Sequence, residues 1–120
     1  MGIARHDSEA RQRAMLRNFA FFDAPHVAFL FVPDWAKARD IADCGIYAQT
    51  LMLAMTAQGI ASCPQAALAQ YSGIVRTILN VSAPLKLLFG ISFGYEDPQA
   101  AANLARTDRV PFDQAVRFHD

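Results

Sequence analysis

The 120-residue sequence is 53% hydrophobic and 18% charged, and its eleven acidic residues balance eleven lysines and arginines. That length fits one domain with a sizeable core, and the apolar content excludes an intrinsically disordered chain. A chain with no net charge lacks the basic footprint of nucleic-acid-binding proteins, so no nucleic-acid partner is expected. Charge is nevertheless uneven: residues 44–95 hold only Arg76 and Lys86, where average usage would give about thirteen charges.

Cysteine usage and the N-terminus indicate a cytoplasmic protein. Cys44 and Cys63 are too few for a disulfide framework and too far apart for a CxxC redox pair. No apolar signal segment opens the sequence, and the Met1-Gly2 start has His6 where a myristoylation site needs Ser or Thr. Residues 44–61 are long enough to span a bilayer but contain several polar side chains, so no membrane partner is expected.

The first elements are predicted to be a helix and a strand. Asp7 or Ser8 can cap a helix whose apolar residues recur at helical spacing, and residues 23–25 (Asp-Ala-Pro) end it. Residues 26–32 (HVAFLFV) form a short apolar run rich in β-branched and aromatic residues, which predicts a buried strand. Pro33 closes that strand.

Residues 40–60 predict a long helix that is apolar on all sides. Asp40 and Asp43 suit the positive end of a helix dipole, and Gly59 supplies a stop. Such a helix must be buried all round, which 120 residues hardly provide. We favour burial partly by a second subunit; the alternative is the central core helix of a monomer. One face carries Ile41, Cys44, Ala48, Leu51, Met52 and Met55, and the opposite face carries Ile46 and Leu53.

The remaining elements predict an incomplete α/β or α+β fold. Residues 61–66 are interpreted as a loop, followed by short helices of which the second is capped by Ser72 and is closed off by Pro84. Residues 85–95 predict a second buried strand, and an acidic, Ala-rich crossover leads from Glu96 into an extended tail. Because two strands alone are a marginal sheet, another segment or chain must supply the missing elements.

The only motif that suggests a nucleophile is Gly90-Ile-Ser92-Phe-Gly94, which matches GxSxG. A nucleophile elbow needs a helix directly after the serine and an acid and a histidine downstream, but a turn follows Gly94 and the only downstream histidine, His119, is next to the C-terminus. We interpret the glycines as part of a packed strand; a small hydrolase that uses Ser92 is the rival hypothesis. The histidines are isolated from one another, so neither a metal site nor a catalytic residue is assigned.

Six segments carry a resemblance to a known family. They are residues 18–27 (NFAFFDAPHV), 43–59 (DCGIYAQTLMLAMTAQG), 62–66 (SCPQA), 75–79 (VRTIL), 90–95 (GISFGY) and 106–111 (RTDRVP). Each is a weak signal by itself, but all six, in this order, resemble the markers of the FMN-dependent nitroreductases. The resemblance implies a nitroreductase-like mixed sheet flanked by helices, with residues 40–60 as a long central dimer-interface helix.

The resemblance also implies a cofactor, a reaction and site residues. The reaction would carry hydride from NAD(P)H through FMN to a small-molecule electron acceptor, nitroaromatic or quinone-like, in a homodimer that holds the flavin at its subunit interface. The flavin carries that chemistry, which agrees with the lack of a catalytic cluster. Pro64, Gln65 and Ala66 match the segment whose backbone amide approaches flavin N5, and Arg109 matches the tail arginine that meets the FMN phosphate.

One departure from the family opens an alternative function. Family members begin with a segment that grips the FMN phosphate, and nothing of that kind precedes Met1. We therefore expect residues 1–120 to form a single nitroreductase-like domain truncated at its N-terminus, and hence a partial fold. The alternative to an oxidoreductase is a non-catalytic remnant or dimerisation module that does not hold FMN.

Overall fold

The computed structural model describes residues 3–4, 6–82, 84–105 and 107–119. The Met1-Gly2 start and Arg106 of the tail motif lie outside the described residues. Among the described residues, no helix is both long and apolar enough to cross a membrane.

The predicted first helix is confirmed, with a change of helix type near its middle. Helix α1 spans Ser8–Leu16, and the Asp7 side chain accepts a hydrogen bond from the Ala10 N–H at 2.9 Å. The chain then continues as a 3-10 segment, Arg17–Asp23, in which Phe21 and Phe22 both have φ 53°. Non-glycine residues rarely adopt this left-handed conformation, so the surrounding structure must hold the exit from this segment in place.

Three strands form an antiparallel sheet in the order β1-β3-β2. Strands β1 (His26–Pro33) and β3 (Leu85–Gly94) confirm the two predicted strands, and the α+β fold class is confirmed with them. In the described residues, both strand pairs of this sheet are antiparallel. The loop predicted for residues 61–66 is wrong, because Ala61–Gln65 pair with β3 as strand β2. Proline is tolerated there because β2 lies at the sheet edge.

Helix α2, Ala38–Ala57, matches the predicted long helix. The Asp40 carboxylate accepts the Lys37 N–H at 2.9 Å at its first turn, whereas Asp43 lies one turn further in. Gly59, with φ +73°, turns the chain into β2. The predicted faces are confirmed by exposure, because Ala48 is 2% exposed while Ile46 and Leu53 are 67% and 61% exposed.

Two short helical segments follow β2. A 3-10 segment, Ala66–Tyr71, leads directly into helix α3, Ser72–Ile78. The predicted Ser72 cap is wrong, because the helix already includes Ser72 and no side chain caps it. The predicted extended tail is interrupted by a single helical turn, α4, at Phe112–Ala115.

The chain is expanded for its size. Its accessible surface is 9477 Å², about one and a half times the value expected for a compact protein of 13.2 kDa. Its radius of gyration is 17.2 Å, against about 14 Å for a compact domain of this length. Much of the exposed apolar surface lies on α2, on α3 and in the tail. The described residues therefore present apolar faces that this chain does not cover.

Candidate functional site

The predicted flavin-facing residues lie at the end of strand β2. Pro64 pairs with Ile91 and Gln65 with Gly90, so the segment is continuous with the sheet instead of being a free loop. Ala66 then opens the 3-10 segment. Pro64 and Ala66 are exposed, whereas Gln65 is only 2% exposed. The site residues thus alternate between solvent and interior.

The Gln65 side chain joins this strand end to the N-terminal part of the chain. Its Nε2 donates to the backbone oxygen of Asn18 at 3.0 Å and to the Asn18 Oδ1 at 3.3 Å. The Asn18 Nδ2 in turn donates to the Met15 carbonyl oxygen at 3.0 Å, which fixes the orientation of the Asn18 amide. The first 3-10 segment is thereby attached to the end of β2.

The other half of the Gln65 amide has no partner. Its Oε1 is buried and accepts no hydrogen bond in the described part of the chain. The orientation of the amide follows from this contact, because Nε2 can donate to the two Asn18 oxygens and Oε1 cannot. A buried acceptor left in this state costs about 1–3 kcal/mol. The position is therefore not optimised for stability alone.

A glycine opposite Gln65 allows the following segment to pack closely on the sheet. Leu68, in the second 3-10 segment, is 3% exposed. A Cβ built on Gly90 would lie 2.5 Å from the Leu68 Cδ1, a distance that real Cβ atoms essentially never show. The segment that follows Ala66 is therefore fixed to β3 through this contact, while Gln65 fixes the strand end to Asn18.

The GxSxG motif belongs to the same packed strand. Ser92 lies within β3 and is 3% exposed, and its strand partner on β2 is Cys63. Gly94 gives room to Pro25, whose Cδ would lie 2.7 Å from a Cβ at that position. Ser92 is thus neither on a turn nor accessible, and the arrangement is not that of a nucleophile elbow.

The tail arginine lies apart from the β2 end. Arg109 is exposed, and its Nη1 donates to the backbone oxygen of Thr107 at 3.2 Å and to the Thr107 Oγ1 at 3.5 Å. Among the described residues, no hydrogen bond or ion pair joins Arg109 to Pro64, Gln65 or Ala66. The structure therefore brings three of the four predicted site residues together and leaves the fourth on the exposed tail.

The chemistry available around β2 is limited to hydrogen bonding and shape. Cys63 is a free cysteine at the sheet edge, and partial burial of its thiol raises the pKa above the ordinary value, which keeps it protonated at neutral pH. No group of three or more metal-binding side chains occurs within the described ranges.

Sequence reasoning missed two polar groups. Asn18 was recognised only as part of a motif, because 47 residues separate it from Gln65 and no local pattern links them. The second group is Arg76, whose Nε is buried and makes no hydrogen bond in the part of the chain that the structure describes. The sequence shows that Arg76 is one of two charged residues in residues 44–95, but it does not show which residues surround the Arg76 side chain in the fold. It lines an open surface cleft with Gly73, Thr77, Asn80 and Val81.

Comparison with known proteins finds one family. The sequence model of the nitroreductase family matches residues 2–95. Nitroreductase NfnB of Mycolicibacterium smegmatis is 52% identical over 118 residues, which are 98% of this chain and 50% of that protein. This chain thus spans about half the length of the curated relatives it matches.

Solved structures agree with the sequence comparison. The crystal structure of the FMN-dependent nitroreductase NfnB from Mycobacterium smegmatis in complex with NADPH superposes with a TM-score of 0.95 at 51% identity, over 99% of this chain and 53% of that one. The FMN and NADPH-dependent NfnB from Sphigopyxis sp. strain HMH gives a TM-score of 0.93 at 32% identity, again over 99% of this chain and 53% of the other.

Proposed function

This chain belongs to the nitroreductase family, and we propose that it acts as an oxidoreductase that transfers hydride from NAD(P)H through FMN to a nitroaromatic or quinone-like acceptor. The observation that carries the proposal is the close superposition, along almost the whole chain, on a nitroreductase described as FMN-dependent and complexed with NADPH. Identity with that protein is high enough to support a shared type of chemistry as well as a shared fold.

The residues at the end of β2 fit a flavin. Pro64 and Ala66 are exposed, so a planar ring can approach the backbone there. Ala66 is the first residue of a helical segment, and the first N–H groups of a helix have no acceptor within it. They can donate to a ring nitrogen or carbonyl. The unpaired Oε1 of Gln65 is a further sign that this segment is shaped by something other than stability.

We assign Pro64, Gln65, Ala66 and Arg109 to FMN binding. Bound FMN supplies the hydride chemistry, and the protein supplies binding and orientation. Gln65 and Leu68 hold the β2 end in place, and the Ala66 amide would donate a hydrogen bond to the ring when FMN is bound. A planar guanidinium suits a phosphate because it forms paired, charge-assisted hydrogen bonds. The exposure of Arg109 leaves it accessible for that contact.

The proposal includes a homodimer in the cytoplasm. Helix α2 exposes Ile46, Tyr47 and Leu53, each more than 60% exposed. Together with the expanded surface of the chain, this apolar face supports burial by a second subunit. Two free cysteines are consistent with a reducing compartment.

The experiment is to purify the protein, add FMN and measure both binding and turnover. We expect a yellow protein that retains flavin through gel filtration and oxidises NADPH or NADH only when a nitroaromatic or quinone is present. A colourless protein that takes up no added FMN would contradict the proposal and favour the non-catalytic alternative. Activity without flavin would also contradict it.

A further inference from the structure

We propose that Asn18 and Gln65 form a positioning pair, in which the Gln65 amide sets the direction of the backbone amides that face the cofactor. This inference rests on the proposed function and adds to it a role for Asn18 and for the Gln65 side chain. Neither side chain needs to touch the reacting atoms. Their effect is on the peptide group between Gln65 and Ala66.

The pair attaches the β2 end at a second point. On one side, Gln65 is held by its pairing with Gly90 in the sheet. On the other side, its Nε2 donates to two oxygens of Asn18, at 3.0 and 3.3 Å. The Gln65 carbonyl and the Ala66 N–H belong to one planar peptide group, so a strand end that is held at both its backbone and its side chain restricts the direction of the Ala66 N–H. Ala66 itself is exposed.

The orientation of the Asn18 side chain is set by a contact other than the one with Gln65. Its own Nδ2 is engaged by the Met15 carbonyl oxygen at the end of α1. Asn18 offers two acceptors to Gln65, its backbone oxygen and its Oδ1. A single donor group satisfies both, which defines one position for the Gln65 side chain.

Burial does not explain why an amide occupies this position. Methionine has nearly the same length and would fill the space without leaving an unpaired oxygen, whereas Gln65 leaves Oε1 without a partner. What methionine lacks is the donor that reaches Asn18. The contact with Asn18 therefore indicates that the Gln65 side chain serves to orient the strand end and not to fill the core.

The test replaces the donor and measures FMN affinity separately from stability. In Gln65→Met we expect an FMN dissociation constant about tenfold higher than in the original protein, with only a small change in melting temperature, because removal of the unpaired Oε1 offsets the loss of the donor to Asn18. The matched control is Gln70→Met, which makes the same replacement at an exposed position in the second 3-10 segment and should leave both quantities unchanged. A fall in melting temperature without a change in affinity would overturn the proposal.

A second measurement needs no flavin. In the flavin-free protein, ¹⁵N relaxation should give lower backbone order parameters at Ala66 and Ala67 in Gln65→Met than in the original, while the order parameters in α2 stay the same. Equal order parameters at Ala66 and Ala67 would overturn the proposal. This measurement separates the positioning role of Gln65 from the proposed oxidoreductase function. It tests the positioning role even if the protein binds no FMN and the proposed function fails.

A variant on the other side of the contact covers the case in which Gln65→Met does not fold. Asn18→Leu removes one of the two acceptors and should raise the FMN dissociation constant by a smaller factor, about threefold, with a lower backbone order parameter at Ala66. An Asn18→Leu protein with the original affinity and order parameter would overturn the proposal independently of the Gln65 variant.

Discussion

Leu68 occupies the space into which a side chain at residue 90 would project, because a Cβ on Gly90 would lie 2.5 Å from the Leu68 Cδ1. Gly90 also faces Gln65 across the β2–β3 pair. The absence of a side chain at one position of the central strand thus allows the segment after the proposed flavin site to lie directly on the sheet.

The first prediction concerns this contact. Gly90→Ala should lower the free energy of unfolding by about 1–3 kcal/mol, because the added methyl group overpacks a buried position. Gly73→Ala is the control, since nothing lies within 4 Å of a Cβ there, and it should change stability by less than about 1 kcal/mol. Urea denaturation measures both. A Gly90→Ala/Leu68→Ala double variant should lose less than the sum of the single losses, and strict additivity would contradict the contact.

The second prediction concerns the start of α2. Asp40→Ala should cost about 1 kcal/mol of stability, because the carboxylate accepts the Lys37 N–H at 2.9 Å and lies near the positive end of the helix. Asp43→Ala should cost little, because that residue lies beyond the first turn. Thermal denaturation followed by circular dichroism compares the two. Equal losses would show that helix charge, and not the hydrogen bond, matters.

The third prediction concerns the exposed face of α2. Leu53→Glu should weaken self-association by about tenfold or more, since it places a charge on an apolar face that a second subunit would bury. Light scattering coupled to gel filtration over a range of concentrations measures this. Gln12→Glu, which adds the same charge to exposed α1, should leave the oligomeric state unchanged. A stable 13.2 kDa monomer of the unmodified chain would exclude the homodimer.

The fourth prediction separates the proposed phosphate ligand from its neighbour in the tail. Arg109→Met should raise the FMN dissociation constant about tenfold or more through loss of a charge-assisted contact. Arg117→Met removes the same charge from another exposed tail position and should have little effect. Fluorescence titration with FMN measures both. The assignment of Arg109 would be wrong if the two variants bound FMN equally well.

The fifth prediction follows from the raised pKa of Cys63. Burial penalises the thiolate, so the folded protein should react with iodoacetamide more slowly at pH 8 than the urea-unfolded chain does. Because the unfolded thiol ionises at lower pH than the folded one, stability should also fall as pH rises through the alkaline range. A Cys44→Ser background isolates the signal. Faster alkylation in the folded state would contradict the direction of the pKa change.

The sequence predicted those elements whose signal is local. Strands β1 and β3 are apolar runs that neighbouring prolines delimit, and α2 combines helical periodicity with a first-turn acid and a terminal glycine. The segment Ala61–Gln65 was misread because five residues containing a proline carry no strand periodicity. Its conformation depends on β3, whose paired residues lie between 25 and 33 positions later in the sequence and supply the backbone partners.

Local patterns in the sequence were enough to predict the fold class and the long helix, and six ordered motifs pointed to the family and to residues 64–66 as the proposed flavin segment. How that segment is held became visible in the folded chain: it pairs with β3 at the sheet edge, Leu68 packs over Gly90, and the amide of Gln65 donates to Asn18. The reason is physical, because periodicity and capping act within a few residues, whereas a buried hydrogen bond across 47 residues exists only once the chain has folded.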